Sequence, residues 1–327
     1  MTIIYDKPHK TIDEQIQIIS NRNVNITNSP FVIEVLQSIS YYTLMNGYKS
    51  SFLADSEGEK FKDGTTFNMI YTLHWIDISL SNLLFKYILV VEKSLKTKLS
   101  HLVGEKFGVS QSDYLFFRSY SNPNGSRNGI LTDIRGVINN SKENTSTYYY
   151  KKNKNHVPPW IVVNDMTFGL TQKWYSILKG SDKERISEQF LSKYNYLSID
   201  QKKEIFRKSL EILRAFRNKA AHGNRIFNLN IREKLPKTQV LLITKDMLSE
   251  NEFDSGIGES DLNAILLILI ILINDPIILE NLLFELNTFF NPYIKNNTKF
   301  IDKSVFSLFN LPQDFLEKIE VLIDRKQ

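Results

Sequence analysis

The most regular pattern of apolar and polar positions lies between Thr66 and Lys106. Its apolar residues recur at steps of three and four, which is the spacing of one face of an α-helix. They are Phe67, Ile70, Leu73, Ile76, Leu80, Leu83, Leu84, Tyr87, Val91, Leu95, Leu99 and Leu102, and neither Pro nor Gly interrupts them before Gly104. The pattern predicts one very long helix, or two helices stacked end to end.

Shorter segments carry helix signals at their ends. In TIDEQIQIISNR, Thr11 and Glu14 have the spacing of a capping box. DKERISEQF predicts another helix. SIDQKKEIFRKSLEILRAFRNKAAH predicts a further one, with Ser198 or Asp200 as its N-cap and Gly223 just past its end.

Residues 118 to 157 break this pattern. RSYSNPNGSRNG is rich in turn residues, and NNSKENTSTYYYKKNKNHVPP is polar, basic and aromatic, so we expect surface loops or short connectors. The three tyrosines at 148–150 stand beside lysines and could stack on bases while the lysines neutralise phosphates. An ordinary exposed loop is the alternative. A core helix is expected to resume near Thr167, anchored by Trp160, Phe168 and Trp174.

Beyond Pro236 the composition shifts. TQVLLITKDML fits a helix or a strand, SENEFDSGIGESD predicts an acidic loop, and the remainder predicts apolar helix. LNAILLILIILIN is too short to cross a bilayer, which needs about 20 residues, so it predicts a buried helix.

Long helical patterns and few strand signals predict an all-α fold. We expect a helical core over residues 67–232, an N-terminal helical segment over 1–66 and a C-terminal helical cap over 233–327.

Composition narrows the chemistry. The 327 residues are 42% hydrophobic and 24% charged, which is typical of a folded globular protein. The chain has no cysteine, which excludes disulfides, thiolate nucleophiles and zinc sites built from cysteine. Its five histidines are scattered, so a zinc site built from histidine is not expected. We therefore expect no metal and no cofactor. The first residues lack the pattern of a secretory signal, so we expect a cytoplasmic protein without a membrane partner.

Positive charge is concentrated in one segment. The net charge is +5, and eleven of the Lys and Arg residues lie between Gln201 and Lys237, against three Glu. This asymmetry indicates an anionic partner, although a solvated helix face would give the same pattern.

The same segment contains RAFRNKAAHGNR at 214–225. Arg214, Asn218 and His222 step by four and form a polar stripe beside the expected buried stripe of Phe206, Leu210, Leu213, Phe216 and Ala220. Arg217 lies about 140° around the helix axis from His222. The two side chains could therefore reach one ligand only at the C-terminal tip of the helix.

The position of His222 leaves its role open. The negative end of the helix dipole favours the protonated ring, while the neighbouring cations oppose it, so His222 could titrate near neutrality. It could act as an acid or base, or it could be a structural histidine.

RNKAAH resembles the R-polar-x-x-x-H motif of HEPN domains, a helical superfamily of RNA-binding proteins and metal-independent ribonucleases. Four further stretches resemble abortive-infection (Abi) proteins of the AbiD/AbiF type. They are KTIDEQIQIISNRNV, ISYYTLMNGY, VEKSLKTKLSHLVGEKFG and PPWIVVNDMTFGLTQKWYSIL, and the resemblance spans about residues 5–230. The family pattern has Glu where this chain has Asn164, beside Asp165, so we expect only a structural role there.

The resemblance implies a composite site in a homodimer, with Arg217 and His222 of each chain facing one RNA phosphodiester. His222 would move protons, Arg217 would neutralise the phosphorane and Asn218 would orient the ring or a phosphate oxygen. The products would be a 2′,3′-cyclic phosphate and a 5′-hydroxyl. Further RNA contacts are expected from Arg214, Lys219 and Arg225, from Lys96 and His101 on the long helix, and from Tyr149, Lys151 and Lys152.

The resemblance also implies phage defence by a toxin-like protein that acts on RNA. An RNA-binding HEPN protein that holds a small structured non-coding RNA without cutting it is the main alternative. A helical interaction protein with a structural histidine is the third.

Overall fold

A single uninterrupted helix, α3 (Phe67–Phe107), runs through the centre of the fold in the computed structural model, which describes residues 7–55, 58–229 and 231–326. The side chain of Thr66 caps its first turn by accepting a hydrogen bond from the Met69 N–H at 3.2 Å. The helix ends at Gly108, whose φ of 88° is a conformation that glycine adopts without steric cost. The first of the two predicted arrangements, one long helix, is confirmed.

The fold is all-α, as predicted. In chain order the other helices are α1 (Ile12–Asn21), α2 (Ser29–Ser38), α4 (Gln111–Tyr114), α5 (Arg127–Asn139), α6 (Ser146–Asn153), α7 (Pro159–Asp165), α8 (Phe168–Ser176), α9 (Gly180–Leu191), α10 (Ile199–Ala221), α11 (Lys237–Thr244), α12 (Glu250–Asp254), α13 (Leu262–Leu272), α14 (Pro276–Lys295), α15 (Val305–Leu308) and α16 (Phe315–Lys326). A π-helical turn lies at Tyr42–Asn46, and 3-10 turns lie at Lys49–Ser51, Phe117–Ser119, Pro123–Gly125 and Lys245–Met247. Within the described residues, strands are confined to the hairpin of β1 (Lys299–Phe300) and β2 (Lys303–Ser304).

The core forms where other helices pack around α3. Helices α7, α8, α10 and α13 contact it along its length, and α10 also packs on α8, α9 and α13. Almost every residue of α13 is buried, which confirms the buried helix predicted from LNAILLILIILIN. The three-part division of the chain stays a prediction.

Helix α10 has the ends and the buried face that its sequence predicts. Ser198 is the N-cap: its hydroxyl accepts from the Gln201 N–H, and the Gln201 side chain accepts from the Ser198 N–H at 2.9 Å. The buried face includes Phe206, Leu210, Leu213 and Phe216, all fully buried. Burial of this face leaves most of the polar residues of α10 at the surface of the protein or at the edges of its contacts with other helices.

The expected loops between 118 and 157 are wrong in part. Helix α5 lies in this segment because Ile130, Leu131, Ile134 and Ile138 recur at helical spacing and are buried. The tyrosine-rich stretch is helix α6, whose N-terminus is capped by the Thr145 hydroxyl. Tertiary packing and a local cap thus override the polar composition of the segment.

Two further expectations are wrong in part, and one open alternative is resolved. The acidic stretch after Leu248 contains the short helix α12, which begins with a capping box between Ser249 and Glu252. TQVLLITKDML is helical through α11. Phe168 and Trp174 are buried as predicted, but Trp160 is half exposed because its ring covers Gly104 on the surface of α3.

Helix α3 is long and apolar enough, by composition, to cross a membrane. Half of its most apolar window is buried among the other helices of the fold. It also carries the buried acidic residues Asp77 and Glu92. These are the properties of a core helix.

Candidate functional site

The C-terminal tip of α10 presents His222 to solvent. Gly223 adopts φ 66°, its N–H donates to the Ala220 carbonyl at 3.0 Å, and the Asn224 N–H donates to the Lys219 carbonyl at 2.9 Å. These two bonds form a Schellman motif, with His222 as the C-cap residue. His222 is exposed, and no described residue forms a hydrogen bond or ion pair with its ring. The imidazole is therefore available to a ligand.

Arg217 lies against α3 rather than at the tip. Its Nε atom is 3.7 Å from Oε2 of Glu92, and its guanidinium lies 5.8 Å from the ring centre of Phe85. The distance to Glu92 is an ion-pair distance but is too long for a hydrogen bond, and both atoms lack a hydrogen-bond partner. The Arg217 side chain keeps 28% of its surface exposed.

Lys96 shares the same carboxylate. Its Nζ lies 2.9 Å from Oε1 of Glu92, and its side chain is only 14% exposed. We call Glu92, Lys96 and Arg217 the Glu92 cluster. Lys96 was expected to contact RNA from the long helix, but the fold buries most of its side chain where α10 brings Arg217 to the same acid. Glu92 is a charged residue within the apolar pattern of α3, and that is the signal by which it could have been found.

Arg225 ties the segment after α10 to the N-terminal part of the chain. Its guanidinium donates to the Gly47 carbonyl and, at 3.4 Å, to the Asn46 carbonyl. The contacted residues belong to ISYYTLMNGY, so this stretch and RNKAAHGNR meet in the fold. Beside them lies a cavity of about 320 Å³, lined in part by Tyr42, Gly223 and Arg225.

A buried network fixes the base of this cavity. The Tyr48 hydroxyl donates to Oδ2 of Asp77 at 2.8 Å and lies 3.2 Å from Nδ1 of His74. Oδ1 of Asp77 accepts the backbone N–H groups of Ile226 at 3.0 Å and Phe227 at 2.8 Å. Asp77 on α3 thus holds the chain that leaves α10. Sequence reasoning missed this network, although Asp77 also stands as an acid within an apolar pattern.

Burial controls the protonation of the network. It raises the pKa of Asp77 to about 6, against which the hydrogen bonds from Tyr48, Ile226 and Phe227 act. Burial also raises the pKa of Tyr48 and lowers that of His74. The neutral forms of Tyr48 and His74 are therefore favoured.

The remaining cations predicted near the tip differ in their surroundings. Arg214 is partly buried, its Nε has no hydrogen-bond partner, and its Cδ packs close to Gly169. Lys219 is partly exposed in the last turn of α10, and Asn218 is exposed. Among the described residues, no side-chain hydrogen bond or ion pair joins Arg217, Asn218 and His222 within one chain; the His222 N–H donates to the Asn218 carbonyl at 3.3 Å as part of the helix.

His101 lies farther along α3 and is 75% exposed. Its Nε2 is 3.8 Å from Glu105, which also accepts two hydrogen bonds from Arg185, at 3.0 and 2.6 Å. His101 therefore lies apart from the Glu92 cluster, on the solvent side of the helix.

The tyrosine–lysine segment forms a separate surface on α6, which packs against α5 and α7. Tyr149 is 52% exposed and contacts Tyr150 edge to face. Lys151 donates to the Asn139 carbonyl at 2.6 Å, and Lys152 lies over the Tyr148 ring. Both lysines therefore have local partners, while the Tyr149 ring is open to stacking.

Asn164 and Asp165 have local contacts at the end of α7. The Asn164 side chain donates to the Trp160 carbonyl at 3.2 Å, and Asp165 accepts the Thr147 N–H at 3.1 Å. Asp165 therefore joins α7 to the first turn of α6, which agrees with a structural role.

No group of three or more His, Asp or Glu side chains suited to a metal ion is found in the described part of the chain. The tip of α10 instead offers an imidazole and several cations. Such a set can transfer protons and bind anions.

A comparison with protein families places this geometry in context. The model of a family described as "Abi-like protein" matches residues 34–228, a range that includes ISYYTLMNGY, the buried network, the Glu92 cluster and the tip of α10. No curated protein and no solved structure matches the chain significantly.

Proposed function

Because the chain belongs to the Abi-like protein family and is an abortive-infection-type protein, we propose that it acts on RNA at the tip of α10, as a metal-independent HEPN endoribonuclease of the AbiD/AbiF type. The observation that carries the proposal is the exposed ring of His222 at the end of a cationic helix, without a partner among the described residues.

The reaction uses groups present at the tip. His222 takes the proton of a ribose 2′-OH, and the 2′ oxygen attacks the adjacent phosphorus. The bond from phosphorus to the 5′ oxygen breaks, and this oxygen takes a proton from an imidazolium. The products are a 2′,3′-cyclic phosphate and a 5′-hydroxyl. DNA is not cut, because it has no 2′-OH.

Arg217 and Asn218 support this step. For this step the Arg217 guanidinium turns from Glu92 on α3 toward the tip and donates to the phosphorane oxygens. The exposed Asn218 orients the imidazole or a phosphate oxygen. The imidazolium that forms when His222 takes the 2′ proton can protonate the 5′ oxygen. We propose a homodimer in which the tips of two α10 helices face one phosphodiester, so that Arg217 of one chain can serve His222 of the other.

Other cations hold the RNA outside the reacting bond. Arg214 and Lys219 neutralise phosphates along α10, and Arg225 adds charge while it anchors the N-terminal segment. His101 and the Tyr149 surface are secondary contacts on other elements, and Lys96 acts through Glu92. We place the protein in the cytoplasm, where it acts as a toxin in phage defence.

The test is cleavage of a labelled RNA in EDTA by the full-length protein. We expect cleavage with cyclic-phosphate ends, a loss of at least a hundredfold in rate for His222→Ala, and no cleavage of the DNA of the same sequence. His9→Ala removes another exposed histidine and should retain full activity. Equal activity of His222→Ala and the wild type would refute the proposal.

The second candidate is a non-cleaving HEPN protein that holds a small structured RNA. The engagement of Arg217 and Lys96 with Glu92 favours it, because this cluster turns the arginine away from the tip. RNA that co-purifies intact, with no cleavage in the assay above, identifies this function. If the protein carries no RNA and cleaves none, it is a helical interaction protein.

A further inference from the structure

A second basic site lies between α8, α9 and α10, away from the tip. It is a cavity of about 640 Å³ that opens to solvent. Six cationic side chains line it: Lys173, Lys183, Lys203, Arg207, Lys208 and Arg214. We call it the basic cavity.

The carboxylates of the basic cavity do not balance these charges. Its lining includes Glu204, Glu211 and Glu233, so six cations face three acids and three positive charges remain. Glu211 forms ion pairs with Arg207 at 2.9 Å and with Lys208 at 3.5 Å. Glu204 accepts a hydrogen bond from Gln239 at 2.6 Å. Outside the lining, Lys203 also pairs with Asp200 and Glu184.

Three of the cations, Lys173, Lys183 and Arg214, pair with no described carboxylate. Lys183 is partly buried, and no described carboxylate pairs with it. Burial lowers the pKa of Lys183, and the charges of Lys203 and Arg207 lower it further. The Nε–H of Arg214 is shielded from solvent without an acceptor. A fully solvated helix face would not place a partly buried lysine beside two other cations.

The size and charge of the basic cavity select the ligand. Its volume lies within the range of pockets that enclose small molecules, about 300–1,000 Å³. A single phosphate would neutralise only part of the excess charge, whereas a chain of phosphates carries three or four negative charges. We propose that the basic cavity binds the triphosphate group of a nucleotide, either at the 5′ end of an RNA or in a free nucleoside triphosphate.

The basic cavity is continuous with the polar stripe of α10. Arg214 borders it and precedes His222 by eight residues, about 12 Å along the helix axis. A 5′ end held in the cavity would therefore place the following nucleotides toward the tip. This link alone rests on the proposed function, because binding of a triphosphate does not require cleavage.

Calorimetric titration of the full-length protein with inorganic tripolyphosphate and with orthophosphate, at fixed ionic strength, tests the proposal. We expect tripolyphosphate to bind at least tenfold more tightly than orthophosphate. Lys183→Gln should weaken tripolyphosphate binding about tenfold, while its melting temperature stays equal or rises because repulsion is relieved. Lys173→Gln, at the exposed rim, should give a smaller loss and serves as the second variant.

The matched control is Lys299→Gln, which removes the same charge from an exposed position on β1. Its affinity for tripolyphosphate should equal that of the wild type. Equal losses in Lys183→Gln and Lys299→Gln, or equal affinity of the wild type for the two anions, would overturn the proposal.

RNAs of one sequence with a 5′-triphosphate or a 5′-hydroxyl identify the source of the triphosphate. If the triphosphorylated RNA binds more tightly and Lys183→Gln removes this difference, the ligand is the 5′ end of an RNA. Equal binding of the two RNAs, together with ATP binding that Lys183→Gln weakens, assigns a free nucleotide. Because His222→Ala should not change tripolyphosphate binding, failure of the cleavage proposal remains distinguishable from failure of this one.

Discussion

At the scale of single residues, two buried acids on α3 organise the candidate site. Asp77 binds the backbone of Ile226 and Phe227, and Glu92 holds Arg217 and Lys96. A buried acid needs hydrogen-bond donors or opposite charges beside it: Asp77 has the donors, and Glu92 has the charges of Lys96 and Arg217. These two carboxylates therefore determine where the chain goes after α10 and which way the motif arginine points.

The raised pKa of Asp77 predicts a pH-dependent stability. A carboxyl whose pKa rises to about 6 on folding keeps its proton in the folded chain after the unfolded chain has lost it. Protonated Asp77 therefore contributes to the free energy of unfolding in full below about pH 4. This contribution, on the order of 3 kcal/mol, is lost as the pH rises through 6. In Asp77→Asn this loss disappears, while His74, whose pKa is lowered by burial, still favours folding at higher pH.

Urea unfolding of the wild type and of Asp77→Asn between pH 4 and pH 8 measures the difference in their free energies of unfolding. The variant should gain stability relative to the wild type as the pH rises. Asp133→Asn, an exposed position on α5, should leave the profile unchanged. A constant difference between Asp77→Asn and the wild type over this range would contradict the assignment.

At the scale of elements, the end of α10 depends on one glycine. Gly223 has φ 66°, which an L-residue adopts only at a cost, and a Cβ at this position meets no neighbouring atom. Gly223→Ala should therefore destabilise the protein by about 1 kcal/mol through the backbone alone. The same change should disturb the position of His222.

Gly136 provides the comparison, because it lies within α5 and a Cβ there also meets open space. Gly136→Ala should stabilise the protein by about 0.5–1 kcal/mol. Thermal unfolding of both variants checks the pair. Shifts of the same sign would show that the left-handed conformation of Gly223 is not what terminates α10.

The end of α13 depends on a lysine from α16. The buried Lys326 donates to the carbonyls of Ile270 at 2.7 Å, Ile271 at 2.8 Å and Ile273 at 2.7 Å. Lys326→Met keeps the apolar stem but removes the donors, so the free energy of unfolding should fall by about 1–3 kcal/mol. Arg325→Met, next to it and exposed, should change it by less than about 0.5 kcal/mol in the same denaturant titration.

At the scale of the whole molecule, a composite site predicts complementation between chains. Arg217→Ala and His222→Ala should each be inactive alone. After the two proteins are mixed and their subunits exchange, the mixed dimers hold one intact Arg217 and one intact His222 at a shared site. Cleavage of RNA should then reappear. Absence of recovery, with exchange demonstrated by native mass spectrometry, would argue against a site built from two chains.

The elements that the sequence predicted well are those with strong periodicity and clear ends. Helices α3, α10 and α13 follow from their apolar spacing, and the capping residues Thr11 and Ser198 follow from local chemistry. Polar composition misled the prediction at α6, because a Thr145 cap and packing on α5 and α7 outweigh it.

The sequence by itself determined the all-α fold, the end of α10 near Gly223 and the concentration of positive charge near it, because periodicity, capping and charge are local properties of the chain. Only the tertiary structure decided that Glu92 holds Arg217, that Asp77 binds the segment after α10 and that cations of three helices line one cavity. The first two contacts join residues of distant segments, 150 positions apart for Asp77 and Phe227, and their geometry depends on how helices pack, which no local pattern encodes.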